Sequence, residues 1–323
     1  MFSASGEELA ALDAETAAAK GSTVGALKRY LVEKCLETSR FQVKILRGDE
    51  CELSDDESIV PPVDLHVVLM NHLAPDEERD GKFLESCRDG LAEDVEQRLT
   101  ALQDPNVIAF SAQDGFPLPG LGLATRRGHL KVAKLLLEAG AEIHPPDIAT
   151  TPLGDAAEAN ELELARLLLE FGAIQKPPAE NFGKTPLCLA SENGHVDMVR
   201  LLLDSRGDPE VHFRDGMGPL HFAAQWGFAD VLRLLIDSKA NIEAEDEDLN
   251  RPLHFAAQNG RLEAVQVLVD AGANRMAKTE EGETAFEIAA FSGERAIAVL
   301  VAPVGMPKQE VEALLDQIDG AED

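Results

Sequence analysis

The sequence predicts a mostly α chain: a solenoid of about seven helix-pair repeats, degenerate at both ends, preceded by a small α+β domain. Three observations carry that expectation. First, a turn residue recurs at Gly90, Gly128, Asn160, Gly194, Gly227, Gly260 and Gly293, and after a first interval of 38 residues the spacing settles to 33. A period of this length marks units that cannot bury an apolar face alone and must stack. Second, the chain of 323 residues is 45% hydrophobic but only 5% aromatic, which favours closely packed Ala- and Leu-rich helices over an aromatic-cored β-sandwich. Third, residues 1–74 lack the period and alternate strand-like with helix-like segments.

In that first region MFSA and LAAL flank SGEE, which reads as a hairpin of two short strands. Thr23–Lys34, TVGALKRYLVEK, has helical spacing through Val24, Leu27, Leu31 and Val32. FQVKILRGDE, the acidic LSDDESI and the alternating DLHVVLM follow as strand and turn, acidic loop, and half-buried strand. This order of segments resembles ubiquitin, which implies a β-grasp domain over 1–74 with 75–79 as linker. After DLHVVLM the chain continues NHLAPDEERDGK without a terminal Gly-Gly, so conjugation is not expected and the domain would act as a docking module. The resemblance makes Lys44, Ile45, His66 and Val68 its candidate binding surface, unless Ile45 covers the helix or core.

The repeats return the same apolar places. Seven residues before each turn residue stands an anchor: Phe83, Leu121, Leu153, Leu187, Leu220, Leu253 or Phe286. Four residues before most of them is an alanine (Ala124, Ala156, Ala190, Ala223, Ala256, Ala289), small enough for neighbouring helices to approach closely. Each unit then carries a second helix, as in VAKLLLEAG, LARLLLEFG, MVRLLLDS, VLRLLIDS and AVQVLVDAG, with Leu and Val spaced to pack on the next repeat. Thr151-Pro152 and Thr185-Pro186 place a capping hydroxyl before a proline at the first helical position. Gly140, Gly172 and Gly272 end second helices, whereas Arg206 and Lys239 hold that left-handed place in two adjacent repeats. Lys239→Gly is therefore expected to stabilise the fold by about 1 kcal/mol.

GKTPLCLASENGHVDMVRLLLD (Gly183–Asp204), with its Thr-Pro-Leu and Gly-His marks, is similar to the ankyrin-repeat consensus. The resemblance covers residues 80–305, strongest in the fourth to sixth repeats and weakest in the terminal ones, which must turn a polar face outward. It implies an ankyrin solenoid, with residues 306–318 (MPKQEVEALLDQI) as a capping helix and 319–323 as a frayed tail.

The sequence offers little for reaction chemistry. His221 and His254 occupy the Pro-Leu-His place, where the ankyrin resemblance implies hydrogen bonds to neighbouring loops; His129 and His195 follow turn glycines and read as structural. No HxxxH, HExxH or Cys/His cluster is present, so neither a metal nor a cofactor is expected. No serine or cysteine has the context of an activated nucleophile. GLGLATRRG (Gly120–Gly128) lacks the Lys and Ser or Thr of a P-loop and has no strand before it, so it reads as a degenerate first helix. The acidic run Glu243–Asp248 lacks the alternating ligands, central glycine and distal glutamate of an EF-hand. It falls where ankyrin proteins project a β-hairpin finger, as a solvated loop or as an acidic fingertip that recognises lysine or arginine. The four cysteines (Cys35, Cys51, Cys87, Cys188) form no CxxC pair, which points to free thiols in a reducing compartment, cytoplasmic or nuclear. No basic or apolar leader opens the chain, and no apolar run approaches the ~18 residues of a membrane span. A net charge of -30 repels nucleic acid and attracts proteins with a basic patch.

The expected function is therefore binding. The two residues before each turn residue are expected on a concave face: Arg126-Arg127, Glu158-Ala159, Glu192-Asn193, Gln225-Trp226, Gln258-Asn259 and Phe291-Ser292. Fingertips add Asp215, Met217, Asp248, Asn250, Glu281 and Glu283. These places vary while the buried side is monotonous, as a binding surface requires. Trp226 and Phe291 carry the most weight, because exposed aromatics dominate interface energies. Trp226→Ala is expected to leave stability nearly unchanged and to weaken a partner. A monomeric, non-enzymatic scaffold or adaptor for a protein partner leads; an acidic inhibitor masking a basic region comes next, and an enzyme last.

Overall fold

A computed structural model describes residues 43–47, 65–69, 76–109, 118–144, 151–175, 183–213, 215–303 and 305–319. The chain divides into two compact units, Met1–Ile143 and His144–Asp323. The MFSA–LAAL hairpin, the Thr23–Lys34 helix, the LSDDESI loop and the tail beyond 319 lie outside the described residues.

In the first unit, β1 (Val43–Arg47) pairs antiparallel with β2 (Leu65–Leu69), Lys44 opposite Val68 and Leu46 opposite His66. Two helix pairs follow: α1 (Glu77–Asp89) with α2 (Ala92–Thr100), and α3 (Gly120–Arg126) with α4 (Leu130–Glu138). Asp76 starts α1 by accepting the Arg79 amide at 2.8 Å, and three acids in the first turn favour the positive end of the helix dipole. Phe83 and Cys87 are fully buried beneath α3. A two-residue strand β3 (Ile108–Ala109) pairs with β4 (Leu118–Pro119) just before α3, so a short strand does precede GLGLATRRG. The role of Gly120 is packing: a Cβ there would stand 3.0 Å from the Cys87 sulphur, so glycine lets α3 lie close on α1.

The second unit continues the pattern. Its first helices are α5 (Pro152–Glu158), α7 (Pro186–Glu192), α9 (Pro219–Trp226), α11 (Pro252–Gln258) and α13 (Ala285–Phe291). Its second helices are α6 (Leu162–Glu170), α8 (Val196–Asp204), α10 (Ala229–Asp237), α12 (Leu262–Asp270) and α14 (Arg295–Val301), and α15 (Lys308–Asp319) closes the end. First helices stack in one row and second helices in another. The alanines four residues before the turns are fully buried between first helices. Thr151 and Thr185 accept the amides of Gly154 at 3.0 Å and Cys188 at 3.2 Å, as their places before proline predicted. Val311 and Leu315 of α15 are buried, and Arg295 pairs with Asp316 at 2.7 Å.

Six of the seven anchors are buried, but Phe286 is only half-buried. Among the described residues no further first helix follows α13, and α15 covers it only in part. The turn glycines have a second reason besides their left-handed backbone. Gly194 has φ 72°, and a Cβ there would come 2.5 Å from the Phe228 ring, which belongs to the next turn. Each of several turns is thus roofed by the residue that follows the next one.

The left-handed place after the second helices is real in Arg206 (φ 67°) and Lys239 (φ 73°), and also in Leu102 (φ 67°), which the sequence did not flag. A Cβ in this region costs about 1 kcal/mol. Lys239→Gly is expected to raise the unfolding free energy by about that amount in urea titration; an unchanged or lower midpoint would contradict it.

Candidate functional site

Three hairpin tips stand 33 residues apart in the second unit. They close through Phe213 N to Met217 O at 2.8 Å, Asp246 N to Asn250 O at 3.0 Å and Thr279 N to Glu283 O at 2.9 Å. Successive tips are tied along their length: Glu247 N donates to Asp215 O and Glu280 N to Asp248 O, both at 2.9 Å. At the corner of each tip the backbone is left-handed, at Gly216 (φ 82°), Leu249 (φ 59°) and Gly282 (φ 85°). Leucine in the middle tip is costly, and its side chain stands 44% exposed.

The tips are fastened to the first helices by the two Pro-Leu-His histidines. His221 Nδ1 accepts the Gly218 amide at 3.0 Å, while Nε2 donates to Ala244 O at 3.0 Å. His254 repeats this with Arg251 N at 3.1 Å and Ala277 O at 3.1 Å. One nitrogen accepts and the other donates, so both rings are held neutral. His129 and His195 bond backbone carbonyls of the preceding turn, Arg88 O at 2.8 Å and Glu158 O at 3.0 Å. All four are structural. Burial pushes the Cys87 thiol up to about 12 and the Cys188 thiol up to about 11, so neither is a thiolate near neutral pH.

Trp226 ends α9 with 49% of its surface exposed, and Phe291 ends α13 with 61% exposed. Glu158, Asn193, Gln258 and Asn259 are exposed at the matching ends of their helices. Others of the expected set are engaged within the chain. Glu192 pairs with Lys184 at 2.5 Å and Asp215 accepts the Met217 amide at 3.1 Å, while at Gln225 it is the backbone carbonyl that accepts Arg261 Nε at 3.1 Å. Arg126, half-buried, and Arg127, exposed, belong to the first unit. In the β1–β2 pair, Lys44 stands opposite Val68, Ile45 opposite Val67 and Leu46 opposite His66.

The acidic tip is not a free cluster. Arg251 binds Glu243 and, at 2.7 Å, Glu245; Glu243 also accepts the Asn274 amide at 2.7 Å. Asp246 accepts the amides of Asp248 at 3.0 Å and Asn250 at 2.7 Å. Three of its acids therefore hold the finger, and Glu247 and Asp248 remain outward. Beyond them a groove of about 400 Å³ opens between the last two tips and the ends of α11 and α13, bringing together Asp248, Asn250, Gln258, Glu281, Glu283, Phe291 and Ser292 of the expected residues. Trp226 does not line it. Sequence reasoning missed Arg251, whose signal was a charged residue where Thr151 and Thr185 precede Pro-Leu.

A family model described as ankyrin repeats (3 copies) matches residues 121–215, 174–246 and 220–310, together more than half of the chain. The chain belongs to the ankyrin-repeat family. The crystal structure of the human ASB11 ankyrin repeat domain is similar to it, with 25% identity, a TM-score of 0.60, and coverage of 68% of this chain and 97% of that one. None of the curated proteins compared matches.

In this ankyrin-repeat chain the buried histidines set a pH dependence. Burial lowers the pKa of both His221 and His254 below the ordinary value near 6.5. The unfolded chain then takes up protons first as pH falls below about 6.5, so stability is fully present above that pH and is lost below it. Urea midpoints are expected to drop between pH 7.5 and 5.5, with a shallower drop in the H221Q/H254Q double variant. An equal slope in the two proteins would remove the histidines from this account.

Proposed function

We propose that the chain is a non-enzymatic interaction scaffold or adaptor. It holds a protein partner on the face formed by the fingers and the ends of the first helices in residues 144–323. The family supports a protein–protein interaction role. The observation that carries the location is the pair of exposed aromatics, Trp226 and Phe291, presented beside three linked fingers by a rigid row of helices. A large aromatic left half in water on a preorganised surface is the usual centre of an interface. Leu249, exposed on a strained tip, adds to that surface.

The domain reading of 1–74 as a ubiquitin-like docking module, followed by a linker at 75–79, repeats over 80–305 and a capping helix, belongs to this proposal. The order of its segments and the antiparallel β1–β2 pair support it. The test is cross-linking of the full chain in cell extract beside Trp226→Ala and Lys44→Ala. Loss of a specific partner on the first substitution supports the finger face, and loss of a different one on the second supports the docking module. Capture unaffected by either would sink the proposal.

A second reading, an inhibitor that masks a basic region of one partner, is favoured by the unpaired acids of the last two fingers and by the net charge of -30. Its mark is one tight complex that weakens steeply with salt.

A further inference from the structure

The groove between the last two fingers has walls of one sign. Asp248, Glu280, Glu281 and Glu283 line it, and among the described residues none of these carboxylates makes an ion pair. Phe291, more than half exposed, lines it as well. The nearest lysine in sequence, Lys278, is outside the lining, and its field acts on Glu287.

One repeat earlier two glutamates of the finger segment hold a guanidinium. Arg251 there bridges Glu243 and Glu245, and burial working against its charge is outweighed by those two carboxylates, so its pKa stands above the usual arginine value. Thirty-three residues on, the same place is Thr284, whose hydroxyl serves the capping of α13 instead. The places of Glu243 and Glu245 are taken by Met276 and Lys278, and the last finger's own acids, Glu280, Glu281 and Glu283, stand nearer its tip, where among the described residues no arginine pairs with them. Among the described residues no three His, Cys, Asp or Glu side chains converge closely enough to hold a metal ion, so the charge complement is an extended organic cation.

We infer that this groove receives an arginine side chain from an extended basic segment of the protein partner, its guanidinium among the carboxylates of Glu280, Glu281 and Glu283 and its plane against Phe291. Arginine is favoured over lysine because a planar fork can bind two carboxylates while stacking on an aromatic face, whereas an ammonium is a compact, strongly hydrated point charge. The volume of about 400 Å³ admits such a side chain with bridging water. This deepens the scaffold proposal and rests on it for the identity of the partner as a protein.

The probes are fluorescein-labelled, acetylated (Gly-Arg)4, (Gly-Lys)4 and (Gly-citrulline)4 peptides, titrated into the full chain by fluorescence anisotropy at fixed ionic strength. The arginine peptide should bind at least fivefold more tightly than the lysine peptide, and the citrulline peptide should not bind. E281Q/E283Q should weaken the arginine peptide at least fivefold, and Phe291→Ala should erase the preference over lysine. E310Q/E312Q, which removes the same charge from exposed positions on α15, should change affinity less than twofold. Unfolding midpoints of all variants are read in parallel. Equal weakening by the α15 control would reduce the effect to diffuse acidity, and an arginine preference that survives Phe291→Ala would also overturn the inference. Trp226-dependent capture of a partner together with a failed peptide test sinks the groove and leaves the scaffold standing. Failed capture with a passed peptide test does the reverse.

Discussion

Leu202→Ala is expected to lower the unfolding free energy by about 2–5 kcal/mol. Leu202 lies in α8 with 0% of its surface exposed, and α8 packs between α6 and α10. Truncation removes apolar burial and leaves a cavity that helices on both sides cannot close without shifting. Its carbonyl compounds the effect, because Gln175 Nε2 donates to it at 3.0 Å and Gly207 N at 2.8 Å, so relaxation of α8 disturbs the joints of two repeats. Leu203, one place on and only half-buried, supplies the control and should cost clearly less as alanine. Urea unfolding read by circular dichroism measures both. A loss below about 1 kcal/mol for Leu202 would show that the repeats collapse onto the gap.

Trp226→Ala should weaken the captured partner by at least about 2 kcal/mol, roughly 30-fold in Kd. The sequence reading expected stability to stay nearly unchanged. The structure sharpens this, because about half of the side chain is covered at the end of α9, and losing that contact costs about 1–2 kcal/mol. The two losses separate by measurement: affinity by calorimetry well below the unfolding midpoint, stability by urea titration. A stability loss as large as that of Leu202→Ala would make Trp226 part of the core. Unchanged affinity would move the interface away from α9.

The helix-pair repeats were legible because their causes are local and periodic. Leu187, Leu220 and Leu253 return at equal intervals since each must fill the same space between stacked helices, and all three are buried. Thr151 and Thr185 could be read as caps because a hydroxyl before proline has one local use. The half-buried Phe286 was not legible, since burial at the last repeat depends on what covers it and the residue itself matches its predecessors. The acidic run left two readings open, a solvated loop or a fingertip, for a related reason. Glu243 and Glu245 look like a free fingertip until Arg251, six to eight residues on, is folded back over them.

The candidate site divides the same way. The sequence alone determined the repeat, its family resemblance, the absence of a reactive motif and the variable places where Trp226 and Phe291 stand. Only the tertiary structure decided which of those places meet. Phe291, Ser292, Gln258, Asn250, Asp248, Glu281 and Glu283 share one groove, and Trp226 stands apart from it. Periodicity specifies how a residue is oriented within its own repeat. Which carboxylates are satisfied, and which are left facing a cavity, depends on what the fold brings to them: Arg251 reaches Glu243 and Glu245, while no cation pairs with Asp248 or Glu281 among the described residues.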